Sequence, residues 1–377
     1  MPTSWAILTG EYPPQPGGVA DYTERVAEGL MQAGDAVDVF APPAVPVAMK
    51  AGVRVHRLPG NFNLAARTQA ERILQMLPRP RRILVQYVPH AFGARAMNVP
   101  FALWVKRLAR KGESVDIMFH EVAYPMEAGQ PWKHRLLALV TRRMALWIGK
   151  GADRIYISTQ GWEPMLLNIG LRRPMQWLPV PSNIACVPAA AAIEEVRRRF
   201  AGSVLIAHFG TYGQLLSALE ETLRRLAEGD ASRQFLLLGR GGSEFAARFS
   251  RAYPALAERF HATGPLDPEP LAAHLAAASI MVQPYPDGVS CRRSSTMAGL
   301  ALGVAVVTCS GIFTESIWAE SRAVALAKNC TAAEIAAAAE ALLANPSEIL
   351  QLAKRASTLY ETKFKVSNTI AALRQIA

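Results

Sequence analysis

At 377 residues the chain is long enough for two or three domains with large buried cores, and a composition of 51% hydrophobic and 19% charged residues excludes a disordered or collagen-like chain. The formal net charge of +11 is uneven: residues 1–180 carry 22 Lys and Arg against 13 Asp and Glu, a net of +9, so an anionic partner is expected to meet the N-terminal half. No apolar run reaches the ~18 residues that a membrane-spanning helix requires.

In chain order, residues 5–8 form the first apolar run. It meets Gly10, Pro13 and Pro14 almost at once, which reads as a strand and not as a signal peptide. Further strands are expected at 37–40, 53–57, 83–86, 114–119, 154–158 and 176–178, with helices between most of them. Residues 22–33 show the helical pattern, with Val26, Leu30 and Ala33 on one face and Gly34 at the stop. The pattern restarts after Pro179-Val180-Pro181, where the domain boundary is placed. Strands then follow at 204–209, 234–238, 260–262, 280–283 and 305–308, and helices at 332–344, 347–363 and from Ser367 onward. Strands and helices alternating in this way predict α/β architecture: two Rossmann-like units, 1–180 and 181–363, with a last helix at about 364–377 expected to return to the first unit. Open parallel sheets bind ligands at the carboxyl ends of their strands, so the cleft between the units is the expected active site. Cys186, Cys291, Cys309 and Cys330 include no C-x-x-C pair. Neither a disulfide scaffold nor a zinc ribbon is expected, and a reducing cytosol is the simplest compartment.

Three segments carry chemistry. After the first strand, Gly17 and Gly18 open a helix, where a backbone without side chains lets N–H groups approach an anion; the plain alternative is a loop that only turns. His120 ends the apolar strand 114–119 on the rim where ligands should sit, either facing a ligand or satisfied structurally, whereas His90 and His208 read as structural. The densest constellation is Gln283-Pro284-Tyr285-Pro286-Asp287-Gly288-Val289-Ser290-Cys291-Arg292-Arg293-Ser294-Ser295-Thr296. Ser294 or Ser295 is expected to cap the following small-residue helix, so that its free N–H groups and two guanidiniums form a phosphate site; the alternative is a capped helix with solvated arginines. A nicotinamide-binding reading of Gly239-Arg240-Gly241-Gly242 fits poorly, since G-x-G-x-x-G and its distal acid are not evident.

In this order, the Pro-Pro-x-x-Gly-Gly-Val loop, Phe119-His120-Glu121, the Gly210 turn, Thr263-Gly264-Pro265-Leu266, and the small-residue helix with Gly303 resemble the large retaining group of GT-B glycosyltransferases, which includes glycogen synthases and bacterial cell-surface sugar transferases. The resemblance covers nearly the whole chain. It implies transfer of a sugar from a nucleotide-sugar donor to an acceptor hydroxyl with retention, without metal or other cofactor. His120, Arg292 and Arg293 take catalytic roles in this reading. Gly17, Gly18, Gly210, Thr211, Gly239, Arg240, Gly264, Leu266, Asp287, Ser290, Ser294 and Ser295 line the donor.

The departures are specific. Counting back from Gly303 puts Ala298 and Ser290 where the group carries a Glu-x7-Glu pair, and Thr211, Tyr212, Gly213 and Gln214 stand where its basic pair lies. A divergent subgroup in which the new arginines supply the charge fits this, and so does a non-catalytic interaction or sugar-nucleotide-binding protein on a degenerate scaffold. The basic N-terminal half implies an anionic or lipid-linked acceptor, not nucleic acid, and peripheral contact with an anionic membrane at the cytoplasmic face. Segments 101–111 and 132–150 are the expected contact surfaces. In the second of these Trp132, Leu136, Leu139, Val140 and Trp147 alternate with Lys133, Arg135, Arg142, Arg143 and Lys150; the alternative is that the stripe packs on the sheet.

Overall fold

A computed structural model describes residues 3–45, 52–184, 186–213 and 217–375. The chain divides into two units, Met1–Val180 with Val366–Ala377, and Pro181–Lys365. In the first, strands β1 (Ser4–Thr9), β2 (Ala36–Ala41), β3 (Val53–Arg57), β4 (Arg81–Tyr87), β5 (Ser114–Phe119), β6 (Arg154–Ile157) and β7 (Gln176–Trp177) form one parallel sheet in the order β3-β2-β1-β4-β5-β6-β7. Helices α1 (Gly18–Gln32), α2 (Leu64–Met76), α3 (Val99–Arg110), α4 (Trp132–Gly151) and α5 (Trp162–Asn168) supply the crossovers. Every residue of β1 is buried, as a central parallel strand covered on both faces requires. Two buried carboxylates tie neighbouring strands: Asp38 binds Arg54 at 2.8 and 2.6 Å, and Asp116 binds Arg82 and Arg154.

The second unit repeats the plan. Strands β8 (Val204–Phe209), β9 (Arg233–Leu238), β10 (Phe260–Gly264), β11 (Ile280–Gln283), β12 (Val306–Cys309) and β13 (Ala325–Ala327) order as β10-β9-β8-β11-β12-β13. Helices α6 (Ala190–Arg199), α7 (Ser217–Gly229), α8 (Gly242–Ala252), α9 (Pro268–Ala277), α10 (Ser294–Ala301), α11 (Ser316–Ser321), α12 (Ala332–Leu343) and α13 (Pro346–Leu359) surround the sheet. Its core is aromatic on one side, with Phe260 stacked on Phe235 and tilted against Phe249 at centroid distances of 4.5 and 4.1 Å. The three-residue β13 is too short to leave a pattern in the sequence. Its pairing with β12 helps bring Cys309 and Cys330 into a disulfide, with Cα atoms 5.0 Å apart, a pairing that cysteine spacing alone did not suggest.

The last helix, α14 (Val366–Arg374), belongs to the first unit. Ile370 lies against Gly29 of α1, where a Cβ would have no room, and Arg374 reaches the buried Asp35 at 3.0 Å. Arg154 also donates to the Leu373 carbonyl at 2.7 Å. In each sheet the strand order reverses once, between β1 and β4 and between β8 and β11. Those reversals leave a crevice at the carboxyl ends.

Candidate functional site

Across the β8–β11 reversal, His208 Nδ1 lies 2.8 Å from the Val282 carbonyl and Gln283 Nε2 donates to the Phe209 carbonyl at 2.7 Å. Burial lowers the His208 pKa to about 4, so the ring is neutral and acts as a strut. Beyond β11 the chain enters the arginine-bearing loop. Asp287 is its hub: Arg292 Nη2 lies 2.6 Å from one carboxylate oxygen and Arg293 pairs with the other. Each guanidinium also rests on a ring, Arg293 over Tyr285 at 4.6 Å and Arg292 over Phe313 at 5.5 Å. At 19% and 27% exposure, Arg292 and Arg293 reach solvent yet are held in place, so an arriving anion meets preorganised donors.

The loop is seated on its neighbour. Gly288 has φ 84°, and a Cβ there would collide with the Gly311 nitrogen and Thr314 Oγ1. Phe313 N–H donates to the Asp287 carbonyl at 3.1 Å and Val289 N–H to the Cys309 carbonyl at 2.9 Å. Glu315, only 6% exposed, accepts the Cys291 N–H on both oxygens at 3.1 Å and the Trp318 indole N–H at 3.0 Å. Gly288→Ala is therefore expected to cost about 1–3 kcal/mol from backbone strain alone, read as a lower urea midpoint. An unchanged midpoint would show that the loop is not seated this way.

The structure corrects one expectation here. Helix α10 begins at Ser294, with Arg293 as its N-cap and no side-chain cap, so neither Ser294 nor Ser295 caps it. The Tyr285 hydroxyl competes for Ser295, lying 2.8 Å from both Ser295 Oγ and Thr296 Oγ1. Ser290 and Ala298, which stand at the carboxylate positions of the resembled group, are fully buried, and Ser290 Oγ has no hydrogen-bond partner. Two carboxylates do bond to this loop, Asp287 and Glu315.

Beside this loop three glycines line the ends of β8, β9 and β10. Gly210 N–H donates to the Leu238 carbonyl at 3.2 Å and Gly239 N–H to the Gly264 carbonyl at 3.3 Å. Gly239 has φ 102°, and a Cβ there would meet the Gly210 carbonyl oxygen at 2.5 Å, so only glycine allows this approach. Tyr212 supports the next turn from below, its ring against Gly242 and its hydroxyl 3.2 Å from the His208 carbonyl and 3.3 Å from that of Leu238. Thr211 and Arg240 are exposed and Leu266 is half-buried. Gln214 lies outside the described residues.

In the first unit Gly17 is the N-cap of α1, and its missing side chain leaves room for the Glu11 carboxylate; the space beside Gly18 is open. His120 ends β5 but is buried, with Nε2 2.8 Å from Gln86 Oε1 and its ring edge-on to Tyr22 at 4.7 Å. Burial lowers its pKa to about 3, which fixes the ring as neutral. The histidine exposed at this rim is His90, which the sequence had suggested to be structural. It follows β4 at the order reversal, with Nδ1 3.4 Å from Glu121 and Nε2 3.9 Å from Glu11. The hydrogen bond to Glu121 raises its pKa, opposed by partial burial, while burial raises that of Glu11. Among the described residues no group of three or more His, Cys, Asp or Glu side chains could hold a metal ion.

These shifts give a pH dependence with a definite sign. The unfolded chain takes up protons at His120 and His208 below about 6.5 whereas the folded chain resists until about 3 and about 4, so stability falls as pH drops from 6.5 toward 4. His90 works the other way, adding stability below 6.5 that is lost as pH rises through its raised value, but its exposure makes that contribution small. Urea midpoints at pH 7 and pH 5 are expected to differ accordingly, with His208→Gln reducing the difference. Equal midpoints would mean that the two rings are not buried neutral.

The expected contact segments divide. Helix α3 turns Phe101, Trp104, Val105 and Leu108 into the core, where Phe62, Phe92 and Phe101 cluster. Helix α4 buries Ala138, Thr141, Met144, Ala145 and Ile148 but leaves Trp132, Leu136 and Leu139 exposed. None of the helices is long and apolar enough to cross a membrane among the described residues.

Two family models match the units in succession: one described as a glycosyl transferase 4-like domain over residues 17–183, the other as glycosyl transferases group 1 over residues 203–345. The chain is a GT-B glycosyltransferase. Solved structures share its fold along the whole length. Sucrose-phosphate synthase from Thermosynechococcus elongatus is 17% identical with a TM-score of 0.72, covering 98% of each chain. HepE from Anabaena, in complex with UDP and glucose, is 14% identical with a TM-score of 0.69, again over 98% of each chain. WaaG, a glycosyltransferase involved in lipopolysaccharide biosynthesis, is 12% identical with a TM-score of 0.71, covering 99% of this chain and all of its own. No curated protein matches by sequence. In this glycosyltransferase Phe313 and Glu315 escaped the sequence reading, and Tyr285, though inside the constellation it named, had no role assigned. Phe313 and Glu315 act from a different loop, and only the pairing of β11 with β12 brings that loop under Asp287.

Proposed function

We propose that this glycosyltransferase moves a sugar from a nucleotide-sugar donor to an acceptor hydroxyl with retention, without a metal or other cofactor. The observation that carries this reading is the Arg292–Asp287–Arg293 cluster at the order reversal of the second sheet. There the guanidiniums can bind the donor diphosphate and stabilise the charge that grows on it as it leaves. The bond from C1 of the sugar to the diphosphate oxygen breaks as a bond from C1 to the acceptor oxygen forms on the same face. The acceptor proton passes to the departing diphosphate, so no protein base is needed. Nucleoside contacts fall to the glycine turns of Gly210, Gly239 and Gly264 with Thr211, Arg240 and Leu266. Ser290, Ser294 and Ser295 flank the phosphates, and with Ala298 at the ribose-binding position the ribose contact is weaker than a carboxylate would make.

In the first unit, the acceptor side of this reading, Gly17 and Gly18 offer backbone N–H groups. If His120 Nε2–H donates to Gln86, the neutral ring keeps Nδ1 as an acceptor for a donor hydroxyl. The acceptor is anionic or lipid-linked and is met at the cytoplasmic face of a membrane, in keeping with the net charge of +9 over residues 1–180. A thermal-shift screen of nucleotide sugars tests the donor, since a ligand that binds only the folded chain raises its melting temperature. NMR of the anomeric product tests retention. No stabilisation by any nucleotide sugar, or an inverted product, would overturn the respective part.

A further inference from the structure

Helix α4 carries a second apolar stripe that its own domain does not cover. Its packed face, centred on Ala138, Thr141, Met144, Ala145 and Ile148, lies about half a turn away from Trp132, Leu136 and Leu139, which follow one another at i, i+4 and i+7; the uncovered stripe ends before Leu146, which is buried. Those three side chains are 69%, 47% and 58% exposed. Lys133 and Arg135 flank the stripe and Arg143 continues it by one turn; none of the three forms an ion pair among the described residues. Residues 132–136 are all exposed, and burial begins at Ala138, so the first turn of the helix stands clear of the core.

The position is as informative as the composition. The Tyr124 N–H donates to Thr141 Oγ1 at 3.1 Å, and Arg142 donates to the Tyr124 carbonyl at 2.9 Å. These bonds, with the Tyr124 ring 5.5 Å from that of His134, join the helix to the loop leaving β5, so its exposed end stands at the carboxyl rim of the first sheet. We infer that Trp132, Leu136 and Leu139 insert into the headgroup region of an anionic phospholipid bilayer while Lys133, Arg135 and Arg143 bind its phosphates. An exposed tryptophan and two leucines flanked by cations that pair with no carboxylate, Lys133 resting over the Trp132 ring at 5.9 Å, match a negatively charged surface with an apolar interior. This inference rests on the first unit being the acceptor side, and it gives that side a physical reason: a lipid-linked acceptor is held in the plane where the rim of the sheet meets the bilayer.

The test uses the full chain and vesicles of equal parts phosphatidylglycerol and phosphatidylcholine, with pure phosphatidylcholine as control. Co-sedimentation is expected with the anionic vesicles only, weakening as salt rises from 0.1 to 1 M because the Debye length falls from ~10 to ~3 Å. Trp132→Ser with Leu139→Ser, and separately Lys133→Ser with Arg135→Ser, are each expected to lower partitioning about tenfold or more. Melting temperature and stabilisation by a nucleotide sugar should stay unchanged, which separates this surface from the donor site. Equal binding to both vesicle types, or wild-type partitioning by either variant, would overturn the inference. So would a change from dimer to monomer in the first variant, which would assign the stripe to a second copy of the chain.

Discussion

Replacing both Arg292 and Arg293 by alanine is expected to lower kcat by about 10²–10³-fold, the loss of ~2.7–4 kcal/mol that follows removal of a preorganised donor at a developing charge. In the proposed reaction the effect should fall mainly on kcat, because the diphosphate carries more charge in the transition state than in the bound donor and the arginines are already fixed by Asp287, Tyr285 and Phe313. Asp287→Asn provides the counterpart. It removes the carboxylate that competes with phosphate for the guanidiniums, so a free nucleoside diphosphate should bind more tightly. It also loosens the arginine geometry, so turnover should fall. A double alanine variant with wild-type kcat and donor affinity would reduce the arginines to the solvated residues of a surface loop.

The two-sheet architecture could be read from the sequence because its strands are buried apolar runs bounded by Gly and Pro, and such runs need no knowledge of their neighbours. Strands such as Val53–Arg57, Ser114–Phe119 and Val204–Phe209 lie at the residues expected. The lone miss among the strands, Ala325–Ala327, is held by pairing with β12 and not by any pattern of its own. Sites are harder, because contact across loops has no local signature. Arg292 and Arg293 were visible as charge before a helix, but not that Asp287 binds both. Two histidines follow strands of the first sheet, at 90 and 120, and the sequence favoured the second as ligand-facing. Their exposure differs in a way spacing does not show: His120 is buried beside Gln86 and Tyr22, with Nδ1 the atom proposed to meet a donor hydroxyl, whereas the turn after β4 leaves His90 exposed between two glutamates. The α4 stripe is a similar case. Spacing identified one apolar ribbon, and only the depth of the sheet beneath it shows which half packs and which half faces outward.

Glu315→Ala is expected to lower both stability and turnover, and the pairing of the two effects identifies Glu315 as a positioning residue. Its carboxylate accepts from buried donors that include the Cys291 N–H and the Trp318 indole N–H, and the Cys291 thiol bonds it as well. Deleting it takes the acceptor from both N–H groups, at about 1–3 kcal/mol for each donor orphaned. Cys291 sits immediately before the arginine pair, and the loop keeps its other anchors at Val289 and Asp287. The segment carrying Arg292 and Arg293 should therefore loosen without the fold being lost. Turnover is then expected to drop by about tenfold or more, as displacement of a catalytic group by ~1 Å does, while affinity for the nucleoside changes little because the glycine turns are untouched. Glu315→Gln keeps one oxygen but turns an N–H₂ toward donors, so it should fall between wild type and alanine in both urea midpoint and kcat. A stability loss of this size with unchanged kcat would show that Glu315 only fills the interior. Unchanged stability would show that its hydrogen bonds are not made in solution.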